Sequence, residues 1–190
     1  MLLTPAFTIR MGSACVAEQT DKSVSIERID DLSIVSLKVS RKSLESACNR
    51  LQLASPTRAS SGDPRSLWLG PDRWLLVSTS TTPDVIVRNC QETLTGIVHN
   101  AVDYSAGLTV FRLGGPNASQ TLASGSGLDF RPEKYPLHTC CRTRLAQVAA
   151  VIVAAAAGRF DVYVDRSYGT YLTNWLADVS RIGFSSTSNR

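Results

Sequence analysis

Ten consecutive apolar residues, Val148 to Ala157, set the tightest limit on how this chain folds. The run is half of the roughly 20 residues that a bilayer-spanning helix needs, so it must be buried inside protein. By periodicity, Cys140 to Val153 reads as helix or strand. The β-branched Val148, Val151, Ile152 and Val153 decide for strands, because a branched Cβ packs well on a pleated surface and is stiff in a helix. Gly158-Arg159 then turns the chain into a second strand, Phe160-Asp161-Val162-Tyr163-Val164.

The remaining chain alternates similar segments with helical ones. Val24 to Ile29 alternates apolar with polar, as a half-buried strand does, and a second strand follows from Leu32 to Val39 after an Asp30-Asp31 turn. Ser40 is placed to cap a helix over 41–51 that carries Leu44, Ala47, Cys48 and Leu51 at helical spacing. Ala54 to Ser66, rich in Ser, Pro, Gly and Arg, reads as the main internal loop. Leu67-Trp68-Leu69 and Trp74-Leu75-Leu76-Val77, joined by Gly70-Pro71-Asp72-Arg73, form a β-hairpin. Thr82 and Pro83 open a helix that runs to about Leu94, as N-cap and first helical residue.

In the second half, Val98–Tyr104 and Leu108–Leu113 read as strands broken by Ala106-Gly107. Gly114-Gly115-Pro116-Asn117 starts a short helix over 118–124, and 125–139 is an irregular connector. The last helix has Ser167 as its N-cap, an apolar face of Tyr168, Tyr171, Leu172, Trp175, Leu176 and Val179, and an end near Gly183. The expected fold is therefore α+β, with mixed or antiparallel sheets and helices packed on one face, as one domain over 23–182 in two small lobes, 23–97 and 98–182. Residues 1–22 read as a loose lead-in and 183–190 as a Ser-rich tail.

Composition excludes several classes of function. At 190 residues the chain fits one domain. Charged residues make up 19%, below the roughly 25% usual for a soluble domain, as fits a surface partly covered by a partner. The net charge of +4 comes from scattered Lys and Arg without a basic run, which argues against a nucleic-acid partner. Five cysteines (15, 48, 90, 140 and 141) are odd in number and lack zinc-type spacing, as in a reduced intracellular chain. With no secretory leader and no membrane-length run, the expectation is a soluble, cytoplasmic protein without membrane contact.

Candidate chemistry is sparse. Unperturbed neutral-pH acid–base groups are limited to His99 and His138. His138-Thr139-Cys140-Cys141 sets an imidazole beside two thiols, and strand alternation would put His138 and Cys140 on one face, but nothing in the sequence nominates the group that would orient the base. Asp103-Tyr104-Ser105 offers a carboxylate that is either a base or, more simply, a turn cap. Gly125-Ser126-Gly127 lacks the Lys-Ser/Thr of a phosphate loop and the flanking elements of a dinucleotide site. Trp68, Trp74 and Trp175 suit a core at least as well as a ligand stack or an interface. These readings yield no catalytic, cofactor-binding or metal-ligating residue.

Several motifs are recognisable together. Leu67-Trp68-Leu69-Gly70-Pro71-Asp72-Arg73-Trp74-Leu75-Leu76-Val77 resembles the WLGPDEWLL segment of sarcosine oxidase gamma subunits, and Val102-Asp103-Tyr104-Ser105 resembles that family's VDVS segment. Val110-Phe111-Arg112-Leu113-Gly114-Gly115-Pro116-Asn117-Ala118 is similar to its strand and helix start, and Gly127-Leu128-Asp129-Phe130-Arg131-Pro132 to its PLDLHP, with Gly127 in place of Pro and Ser126 in place of the usual Cys. Cys140 to Ala146 and Phe160 to Tyr168 complete the set in the family's order; the alanines at 154–157 and the long lead-in depart from it.

The resemblance implies a fold like the folate-binding region of glycine-cleavage aminomethyltransferases and assembly with alpha, beta and delta subunits, most directly alpha. It implies a complex that demethylates sarcosine oxidatively to glycine and passes the one-carbon unit to tetrahydrofolate or releases it as formaldehyde. FAD, FMN, NAD, tetrahydrofolate and zinc are then expected in the partner subunits, with none in this chain and no catalytic group of its own. Two other readings stay open: a stand-alone folate-binding aminomethyltransferase-like protein, and a thiol-based redox or metal protein using Cys140 and Cys141.

Overall fold

The computed structural model describes residues 9–10 and 24–181. The strands are β1 (Ile9–Arg10), β2 (Ser25–Ile29), β3 (Ser33–Val39), β4 (Arg65–Gly70), β5 (Arg73–Ser78), β6 (His99–Asp103), β7 (Leu108–Gly114), β8 (Cys140–Leu145), β9 (Val148–Ala156) and β10 (Arg159–Asp165). The helices are α1 (Leu44–Leu51), α2 (Pro83–Thr93), α3 (Ala118–Gly125) and α4 (Gly169–Arg181). One sheet runs β1-β2-β7-β10-β9-β8 and the other β4-β5-β3-β6. All pairs are antiparallel except the short parallel pair of β1 with β2.

The two sheets lie face to face and each carries its helices on the outside. Ile34, Leu67, Leu75 and Val77 of the smaller sheet meet Val110, Cys140, Val151, Val153 and Tyr163 of the larger one. Val35, Leu37, Trp74 and Leu76 point the other way, onto Ala47 of α1 and Ile86, Cys90 and Leu94 in and just after α2. Phe111, Leu113, Ile152, Phe160 and Val162 likewise pack against Leu122 of α3 and Leu172 and Leu176 of α4. Four layers explain the apolar run at 148–157: β9 is covered on both faces, so its alternation disappears. The architecture is α+β, with each sheet's helices on one face.

The sequence halves and the sheets do not coincide. β2 belongs with β7 to β10, and β6 belongs with β3 to β5, so 23–97 and 98–182 exchange a strand. The Asp30-Asp31 turn, with Asp31 at φ 63°, and the 3-10 turn Ser105–Gly107 are therefore sheet-to-sheet corners, not hairpin turns. The hairpin at 67–77 is present, with a register shift between Trp68 and Gly70. Ser40 and Thr82 occupy N-cap positions and Pro83 opens α2, although neither hydroxyl bonds to its helix.

The last helix corrects the sequence reading. The capping side chain is Asp165, which accepts the Ser167 N–H at the 3-10 turn Arg166–Tyr168. Leu172 and Leu176 are buried, whereas Tyr168 and Tyr171 are each 46% exposed, and Gly169 at the helix start packs directly on Thr109 of β7. Trp175 lies over Gly125, where any Cβ would come within 2.5 Å of the indole, so α3 and α4 approach closely only with glycine there. The expected helix end near Gly183, the 183–190 tail and most of the 1–22 lead-in lie outside the described residues. No helix among the described residues is long and apolar enough to cross a membrane.

Candidate functional site

The layer between the sheets holds a charged cluster that sequence reading missed. On β10, Phe160, Val162 and Val164 face the helices, so Asp161 and Tyr163 face the other sheet. Arg112 sits directly opposite Asp161 on β7. Its Nε donates to Asp161 Oδ1 at 2.8 Å and its terminal nitrogen to Oδ2 at 3.2 Å. Arg65 reaches across from β4 in the facing sheet and donates to Asp161 Oδ2 and the Tyr163 hydroxyl, both at 3.1 Å.

Asp161 is only 2% exposed, and both its oxygens are committed to guanidinium groups. Burial opposes the charge on Arg65, but the Tyr163 oxygen and the carboxylate more than offset it and hold the guanidinium above its ordinary pKa. Arg112 is raised first by its hydrogen bonds to Asp161. Burial pushes the Tyr163 phenol up to about 12. With both carboxylate oxygens occupied by guanidinium donors, this cluster ties the sheets together and leaves no free acceptor for a substrate. The signal in the sequence was a charge inside an apolar strand, once in Val110-Phe111-Arg112-Leu113 and again in Phe160-Asp161-Val162.

The thiol candidate does not assemble. His138 lies before β8 at φ 65°, with its N–H donated to the Ala154 carbonyl and its own carbonyl accepting from Ala59 N–H, so strand alternation does not apply to it. Its Nδ1 is buried with no hydrogen-bond partner among the described residues. The Cys140 thiol points between the sheets and donates to the Trp68 carbonyl at 3.4 Å. Burial, reinforced by Cys141, pushes its pKa up to about 12. Cys141 faces the helix side. Among the described residues, no group of three or more His, Cys, Asp or Glu is placed to hold a metal ion.

Asp103 is a turn cap: its Oδ1 accepts from Ser105 N–H at 2.9 Å and from Ser105 Oγ at 2.6 Å. Ser105 Oγ in turn accepts the Ile34 N–H at 2.9 Å, closing the β3–β6 ladder. Asp165 and Ser167 repeat the arrangement at 2.9 and 2.6 Å. His99 Nδ1 lies 2.8 Å from the Ile97 carbonyl. The Gly125 carbonyl accepts from Ala146 N–H. Trp74 is buried with its indole N–H on the Ala54 carbonyl at 2.9 Å, and Trp68 and Trp175 are half-buried against the cores.

Two clefts remain. One, of about 360 Å³, lies between α1, α2 and the loop 60–64, with Ser60, Asp63, Asn89 and Cys90 among its walls. The other, of about 290 Å³, opens where the sheets diverge, between Ser36, Leu69 and Leu75 on one side and Leu108, Val151 and Tyr163 on the other.

Comparison with known proteins places this architecture. A family profile described as "Sarcosine oxidase, gamma subunit family" matches residues 45–182. The protein named sarcosine oxidase subunit gamma from Corynebacterium sp. (strain U-96) is 25% identical over 112 residues, which is 59% of this chain and 54% of that protein; the match spans about half the length of that curated relative. Among solved structures, a chain of heterotetrameric sarcosine oxidase from Corynebacterium sp. U-96, in complex with pyrrole 2-carboxylate, superposes with a TM-score of 0.78 at 18% identity, covering 90% of both chains. Glycine cleavage system aminomethyltransferase T from Bartonella henselae superposes with a TM-score of 0.62 at 14% identity, covering 84% of this chain and 46% of that one. At these identities the structural matches establish the fold.

Removing Asp161 leaves two cations facing each other across the sheet interface, so Asp161→Ala is expected to destabilise the fold by about 3–5 kcal/mol in urea unfolding; an unchanged midpoint would remove the cluster from this role. The thiols give a pH dependence. Cys140 is held up to about 12 and Cys90 up to about 11 by burial, whereas an unfolded thiol ionises near ~8.5. Above that pH the folded state binds more protons than the unfolded one, so stability falls as pH rises, by at most about 1.4 kcal/mol per pH unit for each thiol. The urea midpoint should therefore drop between pH 8 and 10.5, with Cys140 inert to iodoacetamide in the native chain. A flat profile with rapid labelling would contradict the burial argument.

Proposed function

The chain belongs to the sarcosine oxidase gamma subunit family, and from that premise we propose that it is a non-catalytic gamma subunit supporting assembly of a heterotetrameric sarcosine oxidase. The complex would demethylate sarcosine oxidatively to glycine and pass the one-carbon unit to tetrahydrofolate. Alpha, beta and delta chains would be its partners, alpha most directly, and would carry FAD, FMN, NAD and tetrahydrofolate in the cytoplasm.

The observation that carries this reading is the extent of the family match, which runs from α1 to the end of α4 and so takes in strands of both sheets and all the helices among the described residues. The internal chemistry supports it. Asp161 and Asp103 are occupied by structural bonds, and the Cys140 thiol stays protonated. A second reading, a stand-alone folate-binding aminomethyltransferase-like protein, draws on the likeness to aminomethyltransferase T. Against it, the chain covers 46% of that protein, and Asp103, the carboxylate such a role would use, is turned into its own loop.

Co-expression of the tagged chain with its three companion subunits should recover all four in fixed ratio, with sarcosine-dependent peroxide formation. A clean monomer would overturn the subunit reading. Tetrahydrofolate affinity of that monomer, lost on Asp103→Ala, would favour the second.

A further inference from the structure

β6 is an outer strand of its sheet: among the described residues it pairs with β3 alone. At one end of the pair Tyr104 N–H donates to the Ile34 carbonyl at 2.7 Å, and at the other Ser40 N–H donates to the Val98 carbonyl at 2.9 Å. In an antiparallel ladder, residues bonded to the neighbour alternate with residues whose N–H and C=O point away. With 98 and 104 bonded inward, 100 and 102 are bonded inward too, and His99, Ala101 and Asp103 present their backbone groups to the open edge.

The same alternation sets the side chains. Ala101 packs in the helix-facing core, so Val102 and Tyr104 lie on the face turned toward the other sheet. The other sheet does not reach them: Val102 is 47% and Tyr104 40% exposed, whereas Ile34 on the neighbouring strand is 1% exposed. The Tyr104 ring is held in place over Gly107, where a Cβ would come within 2.7 Å of it. It forms one wall of the 290 Å³ cleft between the diverging sheets, which continues inward to Leu75 and Val151.

The rim of this cleft is cationic. Arg73 and Arg142 line it, and Lys38 stands opposite Arg73 across the β3–β5 pair. The carboxylate nearest Arg73 is Asp72 at 3.8 Å, which Arg41 shares at 3.6 Å. Asp165 also lines the cleft and is held ionised by its hydrogen bonds from Ser167, so two guanidinium groups face one carboxylate there. An open strand edge, an uncovered apolar inner face and a surplus of positive charge thus meet at one corner.

We propose that β6 is where a partner subunit docks, by adding an extended segment with alternating apolar side chains and a carboxylate to the sheet edge. This rests on the reading of the chain as a subunit. The added strand pairs with the backbone of 99, 101 and 103, as in strand addition to other open sheets. Its apolar side chains cover Val102 and Tyr104, and its carboxylate meets Lys38 on the strand next to β6, with Arg73 one strand further in. A second copy of this chain suits the site less well, because its own β6 brings another cationic rim, and its Asp103 lies with Ala101 on the helix-facing side, away from that rim.

The test uses the assembled four-subunit complex, with p-benzoylphenylalanine in place of Val102 as a photo-crosslinker. A crosslink to a companion subunit is the expected result. A crosslink to a second copy, a crosslink within the chain, or none at all overturns the docking proposal. In parallel, Val102→Asp sets a carboxylate against the acidic segment and should lower the chain recovered with the complex about tenfold or more. Asn174→Asp, at an exposed position of α4, should leave recovery unchanged. Equal recovery of both variants also overturns the proposal. Should the unsubstituted chain fail to assemble, it is the subunit reading that fails, and the two failures are distinct.

Discussion

The structure depends on the contact between two sheets, and among the described residues the Arg65–Asp161 ion pair is the one that crosses it. Leu67, Leu75, Val77, Val110, Val151 and Val153 supply the hydrophobic drive of this layer, but apolar contact is non-directional. The direction comes from Arg112, which fixes Asp161 within its own sheet, and from Arg65, which reaches it from the other. A buried ion pair is weak evidence for stability; its value here lies in register, since sliding either sheet would strand a buried charge. The Tyr163 hydroxyl shares the bond with Arg65, and its ring walls the adjacent cleft, so the cluster also sets where the sheets begin to diverge.

Exchange of strands makes the halves inseparable. β2 crosses into the larger sheet at Asp31, and the chain leaves β6 for β7 through Ser105–Gly107. Asp103 and Ser105 brace that second corner, and Asp165 and Ser167 brace the start of α4 in the same way. The motif residues quoted from the sequence therefore stand at corners and hairpins. Asp72 meets Arg41 and Arg73 at the 67–77 turn, and its carbonyl accepts the Val39 N–H.

Local structure was largely legible in the sequence, and long-range placement was not. The 67–77 hairpin, the Thr82-Pro83 helix start and the turn at Gly158 each announce themselves within a few residues. Alternation identifies a strand but carries no mark of which sheet it joins, so the exchange of β2 and β6 could not be read from it. Arg65 and Asp161 are separated by 96 residues and Arg112 and Asp161 by 49; nothing local links them beyond a charge in an apolar setting. Ser167 has the side chain of a good cap, yet it is Asp165, two residues earlier, whose carboxylate accepts the bond. The family resemblance succeeded where physics ran short, because it draws on the order of motifs along the chain.

If the chain works by assembly and not by chemistry, the complex should need its surfaces and none of its reactive groups. The most direct measurement compares the four-subunit complex with one prepared without this chain, following both sedimentation and sarcosine-dependent turnover. The account predicts that the three remaining subunits fail to form a stable complex and lose turnover with it, and that adding back the chain with Cys140→Ser and His138→Ala restores both. Full assembly and turnover in the absence of the chain would contradict it.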